Sequence, residues 1–273
     1  MYLSPKETVE QYINASVNKA NTSNGVILGK AVFAGMMIAM GAACSSVGAH
    51  AIENVGVARV MAGAIFPVGL MMVILMGAEL FTGDCLMAMA VADKKISLAQ
   101  FVKVLIMVYL GNFVGGVALA ALIYGSGQLN YSAGMLGAYT IKVAMGKVSL
   151  TAVQGITSGI LCNILVCAAV VMAMCSKDVT GKLFASFFVI LPFVTGGFEH
   201  CVANMYYISA GMFAKCNPKY VEAASSFYGL TNLDALSIKG FLINNLIPVT
   251  IGNIIGGALC VGLPMFYLNY KKK

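Results

Sequence analysis

The stretch VYLGNFVGG, from Val108 to Gly116, returns as VTIGNIIGG from Val249 to Gly257. Five of the nine positions are identical, the GN..GG frame included, and the copies lie 141 residues apart in a chain of 273. Each copy closes a group of three apolar segments. An odd number of membrane crossings per repeat forces the second group to insert upside down relative to the first. This is the inverted-repeat plan of many transport proteins, which hold their site near the bilayer midplane between the halves.

Composition sets the solvent. The chain is 60% hydrophobic and 10% charged, with a mean hydropathy of +0.88, whereas soluble domains carry about 25% charged residues. No single core of this size hides so much apolar surface, so the chain reads as an all-α integral membrane protein in a lipid bilayer. Six spans follow, from about Gly25 to Gly48, Val57 to Leu80 (with apolar continuation to Val91) and Phe101 to Tyr124, then Leu150 to Cys175, Leu183 to Phe213 and Phe241 to Leu268. Each reaches the roughly 20 residues that a ~30 Å hydrocarbon core needs. The expected organisation is an N-terminal helix over 1–23, a six-span domain over 24–268 and a basic tail over 269–273. Its repeats cover about 24–125 and 147–268.

The N-terminus MYLSPKETVEQYINAS is polar and shows no secretory signal. Ser4 as N-cap, Pro5 at the first helical position and Glu7 closing a capping box predict a short helix. Val9, Ile13 and Val17 give it one apolar stripe, suited to the membrane surface or a neighbouring subunit. With the N-terminus inside, 11 of the 17 Lys and Arg residues fall on the inner side, among them Lys271, Lys272 and Lys273 of the tail, and 6 on the outer. The positive-inside rule therefore predicts both termini in the cytoplasm. The same bias accounts for the net charge of +7 without a nucleic-acid partner. Eight cysteines without a CxxC pair, and only two histidines, offer neither a metal nor a disulfide framework. They read as small packing residues.

The middle spans repeat more loosely. MGAELFTGDCLMA, from Met76 to Ala88, and VTGGFEHCVANM, from Val194 to Met205, each put a small-residue break beside an acid halfway along an apolar run. Paired broken helices are the best sequence pointer to a transport site. Their ionisable residues, Glu79, Asp84, Glu199 and His200, are costly at membrane depth and must face a bundle interior or a cavity. Glu79 and Glu199 read either as braces that accept from N–H groups freed at the breaks or as pathway residues. His200 reads as a buried imidazole or, because imidazole titrates near neutrality, as the residue facing the permeant, with Thr82 as partner and Asn253 nearby. Lys147 reads as an interfacial lysine or as one that draws anions into an outer vestibule. The glycines of GN..GG read first as close packing, while Asn112 and Asn253 each need a partner or face a pore.

GAELFTGD, FEHCVANM and NNLIPVTIGNIIGG resemble the formate/nitrite transporter family along essentially the whole chain. The resemblance implies an aquaporin-like protomer with broken second and fifth spans, a homo-pentamer and one pore per protomer. It puts the family's central histidine on His200, its threonine on Thr82, its pore asparagines on Asn163 and Asn253, its anion-attracting lysine on Lys147 and its motif acid on Glu199. The apolar constrictions fall on Phe66, Leu70, Leu80, Phe81, Val166 and Phe193. Formate, nitrite and hydrosulfide are the permeants implied, and the overall look is most like the hydrosulfide branch, in a bacterial inner membrane. The expected function is a passive channel for small weak-acid anions in which His200, or water relayed through it, supplies a proton. A version without proton transfer, a proton-coupled transporter and a neutral-solute channel are the alternatives. No nucleophile–base pair or cofactor motif points to an enzyme.

Overall fold

The computed structural model describes residues 2–271; Met1 and the tail lysines Lys272 and Lys273 lie outside the described residues. Eleven helices, with a 3-10 segment over Gln128–Gly134, carry the described residues. Helix α1 spans Pro5–Ala20 and α2 Asn24–Ala49. Helices α3 (Val55–Leu75) and α4 (Phe81–Ala92) flank the first break, and α5 (Leu98–Gly125) closes the first half. Then follow α6 (Met135–Val148), α7 (Ala152–Cys175), α8 (Val179–Thr195), α9 (Cys201–Lys215) and α10 (Pro218–Tyr228). Helix α11 (Gly240–Asn269) ends the described fold. Among the described residues α2, α3, α5, α7 and α11 are each long and apolar enough to cross a membrane. The expected fifth span is divided between α8 and α9.

The repeated motif acts first through packing. Helix α5 lies along α2, and α11 lies along α7. A methyl group on Gly115 would fall onto the Val32 carbonyl, and one on the matching Gly256 onto that of Ile160. The small residues thus let backbones approach where a larger side chain would part the helices. Between the pairs, Tyr109 and Thr250, the same position of the two copies, hydrogen-bond through their hydroxyls at 3.0 Å. This bond joins the halves where their repeat positions coincide. Helix α11 relaxes into π-helical turns over Gly240–Leu246 and Ile255–Gly262, a device that recurs beside functional sites.

Helix α1 has the expected start, with Ser4 and Glu7 completing the capping box. Its apolar face turns onto its own chain: Val9, Tyr12 and Ile13 are buried in the common core. Leu3 donates to the Cys175 carbonyl at 2.8 Å, and Tyr2 pairs with Ser176, so the N-terminal arm is held against the end of α7.

Candidate functional site

Both breaks are built alike. Gly77 between α3 and α4, and Gly197 between α8 and α9, adopt φ of +68° and +70°, a conformation open to glycine at little steric cost. The chain then runs extended through Leu80 and His200, the N-cap residues of α4 and α9. Extended backbone at this depth leaves amide and carbonyl groups without helical partners, and the motif asparagines take them. Asn112 accepts from the Phe81 N–H at 3.0 Å and donates to the carbonyls of Ala31 and Glu79 at 2.7 and 3.0 Å. Asn253 accepts from the Cys201 N–H at 2.9 Å and donates to the carbonyls of Gly159 and Glu199 at 2.8 and 3.0 Å. Each asparagine satisfies three backbone groups and pins one break. Asn163 ties the two together, donating to the carbonyls of Thr82 at 3.1 Å and Asn253 at 2.6 Å.

At the centre, Thr82 Oγ1 and His200 Nε2 lie 2.9 Å apart, both residues buried. The His200 Nδ1 accepts from the Ala203 N–H at 3.0 Å, capping α9. An amide N–H only donates, so Nδ1 carries the lone pair and the proton of the neutral ring sits on Nε2. The imidazole therefore donates to the threonine hydroxyl, whose own hydrogen is left to point elsewhere. A second ring proton would have to displace the cap.

Two cavities lie by this pair, one lined by His200 and the other by Leu80 and Gly83 on either side of Phe81 and Thr82 in the chain. The first, about 680 Å³, is lined by Phe66, Phe193, His200, Lys147, Glu199 and Tyr207 among others. The second, about 580 Å³, is lined by Leu70, Leu80, Glu79 and Asp84 and is roofed by Tyr12, Ser16 and Lys19 of α1. We call them the α6-side and α1-side cavities. Phe66 and Phe193 meet edge to face at 5.7 Å, and Phe193 lies 5.9 Å from the His200 ring. Leu70 and Leu80 line the other approach. Phe81 stacks edgewise on Tyr109 at 5.0 Å, and Val166 is buried in α7; neither is among the residues lining these two cavities.

Lys147 lines the α6-side cavity, but its charge is already matched. Its Nζ donates to Glu199 Oε1 at 3.0 Å and stands 5.2 Å from the centre of the Tyr207 ring. Glu199 Oε2 accepts from Asn204 at 2.6 Å, and Asn245 holds the Lys147 carbonyl at 2.9 Å. On the other side Lys19 ion-pairs with both Glu79 and Asp84, and Tyr12 donates to the Gly83 carbonyl at 2.7 Å. Sequence reading named Glu79, Asp84 and Glu199 as intramembrane acids but did not find Lys19 as the partner of the first two, nor Asn204 and Asn245 beside Glu199. The available signal was that α1 and α6 each carry a lysine in the last turn.

Two apolar approaches, a buried hydroxyl–imidazole pair and matched broken helices are the marks of a membrane transport protein. The formate/nitrite transporter family model matches residues 6–267, and the chain belongs to that family. It is 36% identical to the formate channel FocA of Haemophilus influenzae over 97% of this chain and 94% of that one. It is 34% identical to a probable formate transporter of Methanothermobacter thermautotrophicus over 99% and 98%. Among solved structures it resembles a pentameric formate channel with formate bound, with a TM-score of 0.79 and 30% identity over 90% of this chain and 97% of that one. An FNT family ion channel superposes with a TM-score of 0.83 at 28% identity, over 96% and 98%. Family members are channels and transporters, and the protein is accordingly not an enzyme.

Proposed function

We infer that the protein is a passive channel for small monovalent weak-acid anions, with formate foremost and nitrite and hydrosulfide as further permeants. The relatives named above as formate channels and a probable formate transporter move formate ahead of hydrosulfide, the ion expected from the sequence. The observation that carries the reading is the neutral Thr82–His200 pair, with Phe66 and Phe193 on one approach and Leu70 and Leu80 on the other. Moving a bare anion past Phe66 and Phe193 costs up to tens of kcal/mol by idealised Born solvation. Protonating it costs about 1.4 kcal/mol for each unit by which pH exceeds its pKa. Neutralisation wins, and the permeant crosses the barrier as the acid.

The proton comes with cavity water rather than from His200, whose Nδ1 is committed to the Ala203 cap. Thr82 and His200 supply fixed hydrogen bonds that replace part of the lost hydration. Lys147, balanced by Glu199, positions the α6-side vestibule more than it charges it. We place that vestibule outside, the α1 side in the cytoplasm of a bacterial inner membrane, and one pore in each chain of a homo-pentamer, as in the pentameric formate channel.

The test is stopped-flow flux of formate, nitrite, hydrosulfide and chloride through one reconstituted preparation. The weak-acid anions should pass at rates that rise as pH falls, while chloride, whose acid is strong, stays near the protein-free rate. His200→Phe should slow every permeant and leave the shape of the pH dependence in place. Chloride flux equal to formate flux would sink the reading, as would accumulation of formate against its own gradient under a pH gradient in strict stoichiometry.

A further inference from the structure

The same three positions meet in both mouths of the pore. Lys19 in the last turn of α1 reaches the break acid Glu79 and Asp84 of α4. Lys147 in the last turn of α6 reaches the break acid Glu199, which in turn holds Asn204 of α9. Asp84 follows Glu79 by the same interval as Asn204 follows Glu199, 5 residues. The difference is aspartate for asparagine. With its carboxylates ionised the α1-side trio carries one net negative charge, whereas the α6-side trio is balanced.

A second observation bears on where that excess charge goes. Asp84 Oδ1 meets Lys19, but Oδ2 is shut from solvent without a hydrogen-bond partner, and the side chain is 3% exposed. A charged oxygen buried without a donor is costly, and a proton bound to the carboxylate removes that charge. Asn204, the neutral isostere at the matching position, also leaves its Oδ1 unpartnered. The packing therefore already accommodates an uncharged side chain at this place in the repeat. Around Asp84 stand Lys19 and Tyr12 from α1, Glu79 from the break, Cys85 from its own segment and Cys167 from α7. Lys177 and Lys182 line the cavity further out. Of these, Lys19 alone pairs with Asp84, and Glu79 shares it.

We propose that Asp84 is a proton-binding residue of the α1-side mouth, which takes the proton of the weak acid as it leaves the apolar barrier. The role as acceptor rests on the weak-acid reading above; the proton site itself does not. Asp84 lines the α1-side cavity beside Leu80, two residues beyond Thr82. There the O–H bond of the acid breaks, its electron pair stays on the departing anion, and the proton bonds to the carboxylate of Asp84, a residue that lines the cavity. Cavity water then carries the proton away and restores the carboxylate. While the proton is resident, the trio is balanced as its α6-side counterpart always is.

Two measurements on the lipid-reconstituted full chain test this, with Asp84→Asn and Asp84→Glu as variants. Infrared difference spectra across pH steps, without any permeant, should show a carboxylic-acid carbonyl band in the native protein. The band should vanish in Asp84→Asn and return, displaced, in Asp84→Glu. Formate flux against pH should lose one titration step in Asp84→Asn and regain it in Asp84→Glu. A band unchanged in Asp84→Asn, or flux profiles that superimpose, overturns the proposal. Because the spectrum needs no permeant, failure of the weak-acid reading would show as absent formate flux with the band intact. Asp84→Glu serves both readouts should Asp84→Asn fail to assemble.

Discussion

At the scale of single residues, the polar groups of the site divide into those that hold backbone and those that face the path. Asn253 belongs to the first kind, since its amide is used up on Cys201, Gly159 and Glu199. Asn253→Ala strands three buried backbone groups at about 1–3 kcal/mol each. It should lower the thermal midpoint of the detergent-solubilised protein by far more than an exposed substitution, and Asn112→Ala should do the same. The Lys147–Glu199 pair is coupled differently. Its side chains are 14% and 8% exposed, and removing one partner of a buried pair costs about 3–5 kcal/mol because the other charge is left alone. Lys147→Met and Glu199→Gln should each destabilise strongly, and the double substitution less than their sum; additivity in a thermal double-mutant cycle would refute the coupling. His200 and Glu199 were legible in the sequence because ionisable residues stand out in an apolar run. Thr82, the partner of His200, was legible with it; Asn204, the partner of Glu199, was not, because a hydrogen bond between them looks in sequence like an ordinary polar residue on a helix.

Among the elements, the broken helices were readable and the docking of α1 was not. Glycine and an acid inside an apolar run can mean little else than interrupted helix, and both breaks fall where the motifs put them, at Gly77 and Gly197. The stripe Val9, Ile13 and Val17 reads the same whether it meets lipid, a neighbour or its own chain. What decides is Lys19, whose partners Glu79 and Asp84 lie far along the sequence. Helix α10 gave no signal in the apolar pattern, although Asn217 caps it and Pro218 opens it. The start of α1 carries a pH dependence. The Ser4 hydroxyl and then its backbone N–H hold the Glu7 carboxyl below its ordinary value. A lowered folded-state pKa means the capping box contributes fully above the ordinary glutamate range and is lost as pH falls through the lowered value. Amide exchange in the first turn of α1 should therefore accelerate on acidification, and Glu7→Gln should abolish that acid-side change. An exchange rate independent of pH beyond the intrinsic chemistry would remove Glu7 from this role.

For the whole molecule, the two halves are the same device facing opposite ways, and the trios that close their breaks differ by a single charge. Tyr109 and Thr250 meet where their repeat positions coincide, Asn112 and Asn253 pin equivalent breaks, and Lys19 and Lys147 close equivalent ion pairs. If Asp84 alone makes the α1 side titratable, the property can be moved. Asp84→Asn with Asn204→Asp exchanges the compositions of the two trios and leaves the total charge of the protein unchanged. Asn204 donates to Glu199 at 2.6 Å, so an aspartic acid there keeps that bond only while protonated, which ties its proton to the Lys147–Glu199 pair as Asp84 is tied to Lys19. Formate flux in right-side-out and inside-out membrane vesicles, with pH varied on one side at a time, reads the outcome. The native channel should respond to a titration step on the α1 side and the exchanged channel to one on the α6 side. A response that stays on the α1 side in the exchanged channel would place the titrating group elsewhere on that side and leave the sequence difference between the mouths without a role in permeation.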